Sequence, residues 1–154
     1  LDYVCDVYQE SKDGREGRIS TLMDYFDISE YEHVKVNKMS AGSRKKLAFC
    51  GAVLANPKLM FLDEPFEAVD VISIQRMKTI IKKLSHKGIT VFITSHILEV
   101  VENLCDEIAI LNNGKIIAYL DEVQRKELKK DASLHEIFER YVPVEDKGEV
   151  LDWL

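Results

Sequence analysis

Two adjacent carboxylates, Asp63 and Glu64, close the apolar run Leu59-Met60-Phe61-Leu62 and precede Pro65. Four apolar residues between Lys58 and Asp63 predict a fully buried strand of a parallel sheet. In open α/β sheets chemistry sits just past the carboxyl ends of the strands, where Asp63 and Glu64 fall. A carboxylate there can hold Mg²⁺ through water, because that ion keeps part of its hydration shell. Its neighbour, pointing another way, can polarise an attacking water. Together these are two needs of phosphoryl transfer, charge neutralisation and a positioned nucleophile. Two solvated acids opening a loop is the plain alternative for such a pair in isolation.

Three further groups lie near the pair in sequence order. Ser40, Ala41, Gly42 and Ser43 stand where a helix begins, and unsatisfied N–H groups and the dipole at a helix start favour a terminal phosphate. The same Ser40 reads equally as an ordinary N-cap. Asp70 is placed to cap the helix that opens at Val71, and His96 follows Thr94 and Ser95 at the end of a β-branched run. A neutral imidazole at a strand end can bond to a phosphate or to the attacking water. His33, His86 and His135 have no such context and are expected on the surface or in packing. Arg44, Lys45 and Lys46 could touch phosphate, but a solvated basic turn is the expectation for them.

Positioning these residues requires an alternation of strands and helices. Residues 1–9 and 17–26 have helical apolar spacing, separated by the polar stretch 11–17. Residues 43–54 read as a helix ended by Asn56-Pro57. A strand over 58–62 follows, then a helix over 71–84 with Val71, Ile74, Met77, Ile81 and Leu84 on one face. Gly88 suits the turn after it. Residues 89–94 read as a strand and 97–104 as a helix. Strands over 107–111 and 115–120 flank Asn112-Asn113-Gly114, a hairpin signal because Asn and Gly tolerate positive φ. Beyond Leu120 the chain becomes charged and helical, with Ser133 and Glu136 spaced for a capping box. The fold class is α/β, a parallel core sheet with flanking helices, preceded by a helical subdomain. Three regions are expected: 1–56 helical, 57–120 core, 121–154 a helical extension.

Composition narrows the functional classes. The chain has 154 residues, 46% of them hydrophobic and 31% charged, which is ordinary for one globular domain. A net charge of -6 gives no support for nucleic-acid binding, which usually needs a basic face. No apolar segment approaches the ~20 residues that cross a bilayer, so direct membrane insertion is not expected. Cys5, Cys50 and Cys105 form no C-x-x-C pair and are expected as reduced thiols packed like small apolar residues.

The order of these motifs resembles the ATP-binding subunits of ABC transporters. Ser40 to Ser43 then match the signature loop, Asp63-Glu64 the Walker B strand end, Asp70 the D-loop and His96 the switch histidine. The resemblance implies a partial P-loop NTPase fold, with ATP and Mg²⁺ as cofactors. It gives Asp63 the metal, makes Glu64 and His96 catalytic, and puts Ser40, Ala41, Gly42, Ser43 and Asp70 at ATP. It further implies a head-to-tail dimer with a second ATP-binding subunit, and a membrane permease as partner. That places the protein in the cytoplasm, on the inner face of the membrane. A C-terminal helix like that at Ser133–Phe138 occurs in many exporter-type subunits. Departures from the family pattern are Met39 for Leu, Ala41 for Gly, Ser43 for Gln, Phe66 where Thr or Ser is usual, and Glu67-Ala68-Val69 for Ser-Gly-Leu in the D-loop, where only Asp70 is kept.

No G-x-x-x-x-G-K-[ST] loop occurs in the sequence. With Leu1 rather than Met at its start, the chain is expected to be the C-terminal part of such a subunit. On that expectation the chain alone binds ATP weakly and does not turn it over. The strands over 89–94 and 107–111 should also lack an inner neighbour. Two other classes fit less closely: a soluble ATPase of the same superfamily acting in translation or DNA repair, and a non-catalytic remnant.

Overall fold

The computed structural model describes residues 1–8, 13–131 and 133–142, with the side chains of 128–131 excepted. Residues 9–12, Ala132 and the whole of 143–154 therefore lie outside the described residues, with the expectations that fall on them. Two compact units divide the chain, Leu1–His96 and Ile97–Leu154.

The first unit contains α1 (Asp2–Val7), α2 (Arg15–Tyr25), two single 3-10 turns, α3 (Ala41–Leu54), β1 (Leu59–Asp63), α4 (Val71–His86) and β2 (Thr90–Thr94). β1 and β2 pair in parallel, with Leu59 opposite Thr90 and Asp63 opposite Thr94. A helix joins them, as parallel neighbours require a long crossover. Apolar residues of α2, α3, β1 and α4 form the core. Phe26 and Phe49 meet edge to face at 5.8 Å, and Met60, Leu62, Met77, Ile81, Cys5 and Cys50 are all buried.

Chain punctuation follows local chemistry. Ser40 caps α3, accepting the amide of Ser43 at 3.0 Å. Asp70 caps α4, accepting the amide of Ser73 at 2.8 Å. α4 ends where Gly88 adopts φ +83°, and Gly88 and Ile89 donate back to Ser85 and Leu84. These two hydrogen bonds close the helix on its own carbonyls and need a residue tolerant of positive φ.

Two expectations for this unit need correction. β1 is not fully buried: Met60 and Leu62 are, but Leu59 is 49% and Phe61 69% exposed. Phe61 faces its partner Phe92 at 5.5 Å, and Phe92 is itself 56% exposed. Alternate residues of a strand face opposite ways, and among the described residues only one face of this sheet is covered. An apolar run shows what a strand tolerates on both faces, not what the chain supplies to cover them. On α4, Val71 is 74% exposed, and Ser73 takes the buried place instead. The capping bonds from Ser73 to Asp70 satisfy its polar atoms and allow that burial.

The second unit contains α5 (Leu98–Leu104), β3 (Ile108–Asn112), β4 (Lys115–Leu120), α6 (Glu122–Asp131) and α7 (Leu134–Tyr141). β3 and β4 form an antiparallel hairpin turned at Asn113 and Gly114, both at positive φ, as a two-residue hairpin turn needs. Ile108, Ile110 and Leu120 pack with Leu134 and Ile137 of α7. Ser133 and Glu136 make the capping box in both directions. Arg125 donates to the carbonyls of Glu102, in the last turn of α5, and Asp106, just beyond it. Among the described residues β2 pairs only with β1, and β3 only with β4.

Candidate functional site

The parallel register puts the last residues of β1 and β2 side by side, which brings Asp63 next to Thr94. The Thr94 hydroxyl donates to Asp63 Oδ1. The same hydroxyl oxygen accepts the Glu64 amide at 3.2 Å, and the Thr94 carbonyl accepts it at 3.1 Å. Thr94 therefore holds the Asp63 carboxylate directly and the Glu64 backbone amide through both its hydroxyl and its carbonyl.

Glu64 leaves the strand at φ +43°, a left-handed conformation rarely taken by a residue with a side chain. Pro65 follows and disfavours helical geometry before it, so this corner stores strain of about 1–3 kcal/mol. The turn sends successive side chains in different directions. Asp63 continues the exposed strand face, whereas Glu64 Oε2 is enclosed and lies 2.9 Å from His96 Nδ1. That imidazole is 68% exposed, and its nitrogen is the one charge-capable group paired with Oε2 among the described residues.

Asp63 Oδ2 has no protein partner among the described residues, and the group is exposed at a strand end. No cluster of three or more His, Cys, Asp or Glu able to hold a metal occurs among the described residues. A hard cation at Asp63 fits only if most of its ligands are water or phosphate oxygens. That is the usual situation for Mg²⁺.

At the start of α3, Ser40 and Ala41 are exposed while Ser43 is buried, and the Ser40 hydroxyl donates to Ser43 Oγ at 2.8 Å. The capping reading of Ser40 is thus realised. Gly42 approaches the Ala68 carbonyl so closely that an added Cβ would sit 2.4 Å from the oxygen. Ala68 is itself at φ +58°, so two unusual backbone positions meet here.

Asp70 accepts both the amide and the hydroxyl of Ser73, at 2.8 and 2.7 Å. Those two bonds, then Lys46, hold its carboxyl below the usual carboxylate range. Lys46 Nζ lies 3.5 Å from Asp70, and Lys45 Nζ donates to the carbonyls of Glu64 at 2.7 Å and Asp63 at 3.3 Å. The expected solvated basic turn is therefore wrong for these two lysines. Both stitch α3 to the segment 63–70, a partnership between residues about twenty positions apart that helical spacing cannot reveal.

Sequence reasoning also passed over Thr94 as a partner of both acids. Aligning the ends of two adjacent parallel strands was the signal available. Phe66 is 2% exposed, a core side chain, which accounts for an apolar residue at that position. His33, His86 and His135 are exposed, as expected. Cys5 and Cys50 are buried, and burial pushes the Cys50 thiol up to about 12. A cleft of about 630 Å³ lined by Gly14, Arg18, Leu22, Val53 and Asn56 contains none of the candidate residues, and among the described residues it presents no carboxylate.

A parallel βαβ unit with paired acids at its strand end, beside a capped helix start, defines part of a P-loop NTPase fold. The family described as ABC transporter matches residues 4–67. The chain is 35% identical over 136 residues to the uncharacterized ABC transporter ATP-binding protein YhaQ of Bacillus subtilis (strain 168). That match covers 84% of this chain and 46% of YhaQ. The chain is 32% identical over 132 residues to the lantibiotic transport ATP-binding protein SrtF of Streptococcus pyogenes, covering 86% of this chain and 55% of SrtF. A solved ATP-binding subunit of an ABC transporter superposes with TM-score 0.81 at 27% identity, over 92% of this chain and 60% of that one.

The chain belongs to the ATP-binding subunits of ABC transporters. It spans about half the length of the curated relatives it matches.

Proposed function

We propose that the chain is the C-terminal part of a subunit that hydrolyses ATP to drive transport through a membrane permease, in the export direction. The arrangement of Asp63, Glu64, Thr94 and His96 supports this reading most directly. Glu64 is the general base: its carboxylate, enclosed on one side by His96, takes the proton of the attacking water. His96 fixes that carboxylate and is exposed enough to reach a phosphate or the water. Asp63 holds Mg²⁺, which when bound neutralises charge on the phosphate oxygens. Thr94 keeps the Asp63 carboxylate and the Glu64 backbone in place.

Ser40, Ala41, Gly42 and Ser43 present the start of α3 to the ATP held by a second subunit, in a head-to-tail dimer, with Asp70 beside it. Free amides at that helix start favour an anion. The permease anchors the subunit at the cytoplasmic face; no helix among the described residues is long and apolar enough to cross a membrane. Similarity to a lantibiotic transport protein supports a transport role.

Closure of the dimer tests the reading. In the full-length subunit, Glu64→Gln with ATP should be trapped as a closed dimer on size exclusion. Adding Ser40→Arg should leave monomers that still bind ATP, because the bulky side chain blocks the approach. A Ser40→Arg variant that dimerises as readily would refute the signature-loop assignment.

A further inference from the structure

Lys45 has no role in the function proposed so far, yet it touches the backbone of both acids. It lies in the second turn of α3, and its ammonium donates to the Glu64 carbonyl at 2.7 Å and the Asp63 carbonyl at 3.3 Å. The Glu67 carboxylate stands farther off, at 4.0 Å. A cation that sits closer to two peptide oxygens than to an adjacent acid is holding backbone more than pairing charge.

The backbone it holds is the strained corner. Glu64 sits at φ +43° before a proline, and its amide is already fixed by Thr94 from the other side. The amide and carbonyl of one residue are thus clamped from two elements, β2 and α3. Only the side chain is left to vary, and that ends 2.9 Å from His96.

We propose that Lys45 is a positioning residue for the Glu64 carboxylate, and that it ties the base of one site to the helix start offered to the other. Ser40 and Gly42 lie one turn before Lys45 on the same helix, and Gly42 already abuts Ala68. A shift of α3 moves the ammonium, and with it the carbonyl next to the base. This inference rests on the proposed role of Glu64.

The test uses the full-length subunit with Lys45→Met, Lys45→Arg, Glu64→Gln and the double variant Lys45→Met/Glu64→Gln. Methionine keeps the apolar stem, and the lysine side chain is one-third exposed, so the fold is retained. ATP affinity measured by titration serves as the check on folding. Lys45→Met should lower kcat about 10- to 100-fold, the scale of a misplaced catalytic group, with KM for ATP unchanged. Lys45→Arg should recover most of that loss. In the Glu64→Gln background, Lys45→Met should change the residual single-turnover rate less than twofold, because the group it positions is gone. Full kcat in Lys45→Met beside an inactive Glu64→Gln would overturn the Lys45 inference alone. So would a loss that multiplies undiminished in the double variant. Full turnover in Glu64→Gln would overturn the base assignment and this inference with it.

Discussion

Gly42→Ala isolates a single contact whose sign is fixed by geometry. Glycine to alanine in a helix ordinarily stabilises a protein by about 0.4–1 kcal/mol, by reducing the freedom of the unfolded chain. At Gly42 the new Cβ would lie 2.4 Å from the Ala68 carbonyl oxygen, against about 3.3–3.6 Å for a normal carbon–oxygen approach. Relief requires about 1 Å of backbone movement in a segment held by Lys45, Lys46 and the Asp70 cap. Overpacking of that kind costs about 1–3 kcal/mol. The balance runs from about zero to a net loss of about 2.6 kcal/mol, against a net gain where the Cβ has room. Gly17, in α2, is the internal control, because an added Cβ there meets nothing within 4 Å. Gly17→Ala should therefore stabilise by about 0.4–1 kcal/mol. Urea unfolding of the 154-residue chain, followed by helical circular dichroism, gives both values. If Gly42→Ala proves as stabilising as Gly17→Ala, the close packing of α3 against the 63–70 segment is refuted.

The remaining predictions concern the cap, the thiols and nucleotide binding. Asp70→Ala should cost about 1 kcal/mol at pH 7 through loss of the N-cap. The carboxyl is held below its usual range by Ser73 and Lys46, so its contribution is complete above the unfolded value near pH ~3.9 and fades as pH falls through the folded one. Wild type and Asp70→Ala should accordingly converge in urea midpoint as pH falls below that unfolded value, and a gap that stays undiminished as acid is added would contradict the linkage. Cys50, buried and with its thiol pushed up to about 12, should resist alkylation at pH 8 until urea is added; mass spectrometry of the native protein showing rapid modification would contradict this. The chain without a phosphate-binding loop should bind ATP only weakly, because two carboxylates with no cradle of amides and lysine repel the nucleotide. Sub-micromolar affinity by calorimetry would contradict it.

Signals confined to neighbours in sequence carried over well into the structure. Asn113-Gly114 makes its turn, Ser133 and Glu136 make their box, and Pro57 follows the end of α3. Strand–helix alternation led to the α/β class, and the motif order led to the family. What stayed hidden depends on contacts between distant segments. Lys45 and Lys46 look like any solvated basic turn until α3 is laid beside residues 63–70. Thr94 gains its role only from the parallel register that sets it against Asp63. Phe61 misled because an apolar side chain in a strand predicts burial, whereas burial needs a covering layer as well. The left-handed turn at Glu64 has no local signal at all, since Pro65 argues against helical geometry there.

Turnover by the Glu64→Gln full-length subunit tests the central claim most directly. Glutamine keeps the size of the side chain and the contact with His96, but it cannot take a proton from water. The measurement is kcat for ATP together with ATP affinity, on wild type and variant side by side. The account predicts a fall in kcat of at least about 100-fold with affinity unchanged, because the base is lost and the binding groups are not. Wild-type turnover in Glu64→Gln would show that another group activates the water, and the corner of Asp63, Glu64 and His96 would lose its catalytic reading.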